Sequence, residues 1–205
     1  MADWIARVVA RRAPNAVRSA DPFHVVAWAI DALDIERRRA WNAAKGRRST
    51  REVGRRHPRA TGDAEHISQA RYALWKNPGD LTSRQRHQLD WIAKTDTRLW
   101  RAYLLKEGLR YVFAVKGEEG KQALDQWTIW ARRSRIPAFV HLQRKIATHR
   151  PAIDAALDTG LSQGLIESTN TKIRLLTRIA FGFHKYQPLV ALAMLALGSH
   201  PPRLP

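Results

Sequence analysis

The sequence has no cysteine, which excludes disulfides and thiolate zinc sites from this chain. Acids are scarce: 18 Asp and Glu stand against 36 Lys and Arg, a net charge of +18 with a pI near 11.3. No apolar run approaches the roughly 20 residues that span a bilayer, and the first residues lack the apolar block of a signal peptide. There is no internal repeat, no P-loop, no Gly-x-Ser-x-Gly elbow and no histidine pair at zinc spacing. What remains is a strongly basic chain that is not a disordered tail, because it carries eight tryptophans and is 44% apolar. A charge of this size points to a polyanionic partner. A cytoplasmic, nucleoid-associated protein is expected, although composition alone leaves RNA and anionic membrane surfaces open. At 205 residues the chain has room for one domain, or for a domain with an insertion.

Trp4, Ile5, Val8 and Val9 predict a short amphipathic helix, stopped by Arg11-Arg12-Ala13-Pro14. Ala16–Ala20 reads as a short strand leading into Asp21. From there Phe23, Val26, Ile30 and Leu33 recur at helical spacing, as far as Trp41 or Ala44. Residues 45–62 break the pattern, with Arg47, Arg48, Arg55 and Arg56 among many cations opposed by Glu52 alone. Glycine, serine and Pro58 make this a basic linker, either merely solvated or gripping phosphates. From Asp63 to Arg150 the chain reads as wholly helical. Thr82-Ser83-Arg84-Gln85 is a capping box with Leu81 as its staple, Thr95-Asp96 caps the next helix, and Gly117, Gly120 and Pro137 mark later boundaries. Trp75, Trp91, Trp100, Trp127 and Trp130 in this block suit a core, or stacking on exposed bases. Gly182 reads as a hinge before a last apolar helix, Pro188 to Leu197.

Two stretches carry candidate chemistry. Asp21 sits where a strand gives way to a helix, a position at which α/β proteins place site residues. It also has the makings of an N-cap, with Pro22 at the first helical position, and the two roles are compatible. His24, beside an apolar stripe, reads as structural. Near the C-terminus, Ile166, Ile173, Leu176 and Ala180 mark an apolar stripe, while Glu167, Asn170, Arg174 and Arg178 share another face. A carboxylate opening a face of amide and guanidinium groups suits a cation held beside phosphates. It equally suits an acid favoured by a helix N-terminus ahead of a solvated basic face.

Asp-x-Phe-His-Val-Val (residues 21–26), a long helical interval, Gly-Leu-Ser-x-Gly-x-x-Glu-x-x-Asn-x-Lys-Ile-Arg (residues 160–174) and Gly-Phe-His (residues 182–184) together resemble the ISL-three family of bacterial insertion-sequence transposases. Further stretches share the likeness: Ala70–Pro78, Leu104–Arg110 and Ala131–Pro137. The resemblance implies a DDE enzyme with an RNase H-like core, which cleaves and joins DNA at phosphorus with two Mg²⁺ or Mn²⁺ ions held by three carboxylates. It assigns Asp21 as the second acid and Glu167 as the third, both metal-holding and catalytic. Asn170, Lys172 and Arg174 become DNA contacts, joined by Arg178 and by Arg47, Arg48, Arg55 and Arg56.

The family's first acid precedes an Ala-x-Trp-Ile helix start, matched here by Ala2-Asp3-Trp4-Ile5, so that acid is expected upstream of Met1. The expected fold is therefore mostly α with a small α/β remnant: an RNase H-like core truncated at its N-terminus, carrying an all-helical insertion. The expected divisions are residues 1–44 and 151–200 as core pieces, 45–62 as linker, 63–150 as insertion and 201–205 as tail. The expected partners are double-stranded DNA, both element ends and target, and either a homo-oligomer or an assembly with full-length transposase. The expected activity is DNA strand cleavage and transfer, incomplete in this chain alone. The competing expectation is a non-catalytic basic helical nucleic-acid binder, or a regulator of the full-length enzyme.

Overall fold

The computed structural model describes residues 3–51, 62–160 and 164–197. Eleven α-helices lie within them: α1 (Asp3–Arg12), α2 (Pro22–Arg51), α3 (Gly62–Gln69), α4 (Arg71–Trp75), α5 (Ser83–Thr95), α6 (Thr97–Val115), α7 (Gly117–Arg133), α8 (Pro137–Thr148), α9 (Arg150–Thr159), α10 (Gly164–Ile179) and α11 (Tyr186–Leu197). Residues 1–160 form one compact unit and residues 161–205 a second.

The first unit is built around α2 and α6. Val25, Ala29, Ala32, Leu33, Ala40 and Ala44 line the buried face of α2, against which α3, α4, α6 and α8 pack. A face made largely of alanines lets neighbouring backbones approach closely, and this stripe differs from the one expected. Leu33 is buried as expected, but Phe23 is 76% exposed and Val26 and Ile30 are half-buried. α6 is buried on several sides, through Leu99, Ala102, Tyr103, Leu105, Leu109 and Val112, because α2, α5 and α7 all pack on it. At its contact with α7 the helices meet at Gly108, where an added Cβ would lie 2.9 Å from Trp130 and 3.2 Å from Trp127. α7 in turn packs on α8 and α9. The helices expected to form a separate insertion thus share a core with α2.

Local chemistry explains the boundaries. Thr82 accepts from Gln85 N–H at 3.3 Å while Gln85 Oε1 accepts from Thr82 N–H at 3.1 Å, and Leu81 is buried beside them. Asp96 caps α6 by accepting from Leu99 N–H at 2.9 Å. Pro137 occupies the first position of α8, and Gly160 ends α9 with a φ of 57°.

Two expectations are corrected. No strand occurs among the described residues, and Ala16–Ala20, expected as one, is coil. Its backbone link to the rest of the unit runs from Ala20 N–H to the Ala152 carbonyl at 2.7 Å, at the start of α9; a strand requires a ladder of such bonds to an extended partner. The α/β remnant is thus absent from the described residues. α2, in addition, runs on to Arg51, into the stretch expected to be linker from residue 45. Ala44 remains docked, and Lys45 lies over the Trp41 ring at 3.6 Å, a contact between residues one helical turn apart.

In the second unit α10 packs against α11. Gly182, with a φ of 96°, lies in the turn between them.

Candidate functional site

Asp21 is the best-defined of the candidate residues. Ala20 before it is buried and bonded to Ala152. Pro22 after it opens α2, and the Asp21 carbonyl accepts from Val25 N–H at 3.1 Å. The side chain caps the helix, its Oδ1 accepting from Phe23 N–H at 2.9 Å. Oδ2 faces His24 Nδ1. The carboxylate is 18% exposed and the imidazole 73%, so the acid is held in place while the histidine stays open to solvent. The exposed Phe23 ring meets His24 edge-on, with centroids 5.9 Å apart. Beside this end of α2 lies a cavity of about 470 Å³, largely apolar, lined by Phe23, Val26, Ile30, Asn77, Arg110 and Phe113 among others. On the other flank, Ala16–Arg18 and the start of α9 enclose a second cavity of about 380 Å³.

This geometry fits one ligand of a divalent cation. Carboxylate oxygens are the donors that Mg²⁺ and Mn²⁺ prefer. Capping occupies only part of the lone-pair capacity of Oδ1, and the neighbour of Oδ2 is an exposed side chain. Among the described residues no group of three or more His, Asp or Glu is placed to hold a metal ion. Asp21 therefore stands as a single carboxylate with an adjacent histidine.

The backbone of Glu167 lies in the first turn of α10, at the helix end that favours an acid. Its side chain lies outside the described residues, as do those of Arg47 and Arg48, while Arg55 and Arg56 lie outside them altogether. The basic face beyond Glu167 is as expected, with Asn170, Arg174 and Arg178 one turn apart and exposed, and Lys172 also exposed. Ile173 and Leu176 are half-buried, but Ala180 of the expected stripe is exposed, as are Leu175 and Ile179.

The tryptophans serve mainly the core. Trp127 is 3% exposed and donates Nε1–H to the Leu105 carbonyl at 2.7 Å, and Trp75, Trp91 and Trp100 pack on the core. Trp130 is 40% exposed.

Two buried charges escaped the sequence reading. Glu36, 4% exposed on α2, accepts from Arg98 Nε–H at 2.7 Å and Nη2–H at 3.2 Å, tying α2 to α6. That pairing raises the Arg98 pKa above its ordinary value, against the opposing effect of burial. Lys106 is fully buried, and burial pulls its ammonium down to about 8 although Glu107 lies against it. Its sequence signal was present: Lys106 falls in the same helical stripe as Ala102, Tyr103 and Leu109.

A family model described as a transposase, of the DDE and ISL-three type, matches residues 1–192. The transposase for insertion sequence element IS1557 of Mycobacterium tuberculosis is 65% identical over 212 aligned positions, in both strain CDC 1551 / Oshkosh and strain H37Rv. All of this chain is covered, and 48% of that relative. The transposase for insertion sequence element IS1001 of Bordetella parapertussis is 24% identical over 172 positions, covering 83% of this chain and 39% of the relative. The chain thus spans about half the length, or less, of these relatives. No solved structure matches it.

Proposed function

Because the chain belongs to the ISL-three family of DDE transposases, we propose that it carries two acids of a transposase active site, Asp21 and Glu167, together with a DNA-binding surface. The observation that carries this reading is the Asp21 carboxylate, fixed at the head of α2 by the Phe23 N–H, with its second oxygen facing the exposed His24. Asp21 and Glu167 would hold divalent cations, Mg²⁺ or Mn²⁺, which when bound supply activation of the attacking oxygen and neutralise charge on the phosphate. Around them this chain's own groups bind and orient DNA. Asn170 donates and accepts hydrogen bonds, while Lys172, Arg174 and Arg178 pair with phosphates.

An RNase H-like setting follows from the same reading. In it the bond from Ala20 N–H to the Ala152 carbonyl holds the backbone just before Asp21 against the start of α9.

Within these 205 residues the family likeness assigns two acids where three are needed. We therefore read the chain by itself as binding duplex DNA without sequence preference and not cutting it. Fluorescence anisotropy with unrelated duplexes tests the binding, and incubation with element-end DNA and Mg²⁺ tests the cutting. Binding that weakens steeply with salt, without nicking, is expected. Nicking that disappears in Glu167→Gln would show the chain to be competent alone. Absence of any DNA binding at low salt would sink the reading.

A non-catalytic role, as a basic binder or as a regulator within an assembly of full-length transposase, is favoured by one observation, the net charge of +18 spread over the chain. Co-purification with the full-length enzyme, and inhibition of its strand cleavage, would select that role.

A further inference from the structure

The junction between α7 and α8 is a rigid turn that displays arginines without acidic partners. α7 ends at Arg133 and α8 begins at Pro137. Between them Ser134, 2% exposed, donates its hydroxyl to the Ala131 carbonyl at 2.7 Å and accepts from Ile136 N–H at 3.1 Å. From α6, Arg101 donates Nη2–H to the Ser134 carbonyl at 2.8 Å. Ile136 is buried, and its carbonyl accepts from Phe139 and Val140 N–H at 3.0 Å each. The turn is thus pinned from inside, from α6 and from α8.

Its residue types are not those that the turn itself requires. Arg135 has a φ of 59°, a conformation costly for any residue with a β-carbon and free for glycine. Arg132, Arg133 and Arg135 are exposed and have no acidic partner among the described residues. In the same unit Arg37, Arg98, Arg110, Lys121 and Arg150 each meet a carboxylate, while exposed cations such as Arg84 and Lys94 have none among the described residues; the turn differs in gathering three such arginines within four positions. The C-terminal end of α7 favours cations in its last turn, which accounts for Arg132 and Arg133. It does not account for Arg135, which lies beyond the helix in a conformation that folding alone would give to glycine. Strain kept in an over-determined turn, together with uncompensated like charge, marks a surface shaped for an outside partner.

We propose that this turn is a contact surface for the phosphate backbone of duplex DNA, with Arg132, Arg133 and Arg135 neutralising phosphates and Arg101 holding the turn in position. The proposal rests on the DNA-binding reading above and adds a second surface, on the first unit. Guanidinium forks suit phosphate oxygens, and a turn fixed beforehand loses little entropy on binding.

The test uses the full chain and a labelled duplex of arbitrary sequence, with affinity followed by anisotropy across salt concentrations. A triple variant, Arg132→Gln, Arg133→Gln and Arg135→Gln, is compared with a charge-matched control at exposed cations outside the turn: Arg84→Gln, Lys94→Gln and Arg144→Gln. Loss of three phosphate contacts should flatten the plot of log affinity against log salt by about 2 to 3 and weaken binding about tenfold or more, with less than about 1 of slope lost in the control. Equal slopes for the two triples, with the unaltered chain binding normally, would overturn this proposal alone. Failure of the unaltered chain to bind any duplex would remove both proposals. Arg135→Gly supplies an independent readout, since relief of the left-handed backbone should raise Tm by about 2 °C while DNA affinity falls. A higher Tm with unchanged affinity would mean that the residue is merely structural, and the proposal would be lost. If the triple variant fails to fold by circular dichroism, Arg135→Gly decides the matter.

Discussion

Lys106 makes stability depend on pH in a direction opposite to that of a lysine whose pKa is raised by a carboxylate partner. Its Nζ donates to the Leu74 carbonyl at 2.7 Å and to the Lys76 carbonyl at 3.4 Å, closing the C-terminal end of the five-residue α4. Arg110 reaches the same Lys76 carbonyl at 3.4 Å and holds Glu107 through both carboxylate oxygens at 3.1 Å. Burial is the main cause of the low pKa, about 8 against an ordinary 10.5; Glu107 works against it and Arg110 adds a little to it. The unfolded chain keeps the proton up to pH 10.5 while the folded chain releases it near 8, so across that interval the unfolded state binds more protons. Stability must therefore rise with pH, the full contribution being present above the unfolded pKa and lost as pH falls through the folded one.

Between pH 7 and pH 9.5 the gain is about 2 kcal/mol, since each unit of pKa difference is worth about 1.4 kcal/mol. The neutral amine keeps its N–H donors, so the bonds to α4 survive the titration. Tyr103, its ring 4.6 Å from the Lys106 ammonium, limits the window. Burial pushes its phenol up to about 12 from 10, so stability falls with rising pH above 10 and measurements should stop short of that. Urea unfolding followed by tryptophan fluorescence at fixed salt gives the slope. Lys106→Met removes the titrating group, and its stability should stay flat over the window in which the unaltered chain gains about 2 kcal/mol. Parallel pH profiles for the two proteins would refute the assignment to Lys106.

Three further perturbations test the packing. Glu36→Ala should cost about 2 kcal/mol and Arg98→Ala more, about 3 kcal/mol, because the first leaves partly solvated guanidinium groups and the second a buried carboxylate that Arg39, 3.6 Å away, compensates only in part; denaturant midpoints of the two variants check the order, and equal costs would contradict the burial of Glu36 at 4% against 36% for Arg98. Gly108→Ala gains about 1 kcal/mol of helix propensity, yet it should destabilise by about 1 kcal/mol net, since Trp127 is held by its bond to Leu105 and cannot retreat; a rise in Tm would show that the α6–α7 contact yields. Thr82→Ala removes one half of the capping box of α5 and should cost about 1 kcal/mol, seen as a lower thermal midpoint with unchanged helicity elsewhere.

The contrast between what was legible and what was not follows the range of the interactions. Thr82 with Gln85, Asp96 with Leu99, Pro137 and Gly160 set helix ends through bonds spanning a few residues, and such signals are complete within the sequence window that contains them. Ala16–Ala20 has the composition of a strand, but a strand is a relation with a partner, and no local pattern supplies one. The face of α2 was misread because alanine carries little hydrophobic signal, while Phe23 and Ile30 carry much. Burial went to Ala29, Ala32 and Ala40, where two backbones must come close. Residues 45–51 looked like linker because cations and Gly46 interrupt the apolar pattern, yet a helix already anchored through Ala40 and Ala44 propagates at small cost. For the site, Asp21 was legible as a cap, because that role rests on neighbouring residues. Whether Glu167 meets it depends on tertiary contact across a long helical interval, which spacing does not encode.

Capping and ligation are usually weighed as rival accounts of an acid at a helix start, but at Asp21 the observed cap would prepare the ligand role proposed above. A metal-holding carboxylate works best when its position is fixed before the cation arrives, because the entropy of ordering it is then already spent in folding. The Phe23 N–H fixes the rotamer through Oδ1, the buried Ala20 and its bond to Ala152 fix the backbone behind it, and Pro22 fixes the first helical dihedral ahead. Oδ2 faces His24, whose ring is exposed. Asn and Asp cap helices about equally well, but only Asp brings an anionic oxygen to a hard cation. The helix N-terminus and His24 also favour an anion here, so the same charge would serve the cap and the proposed ligation alike.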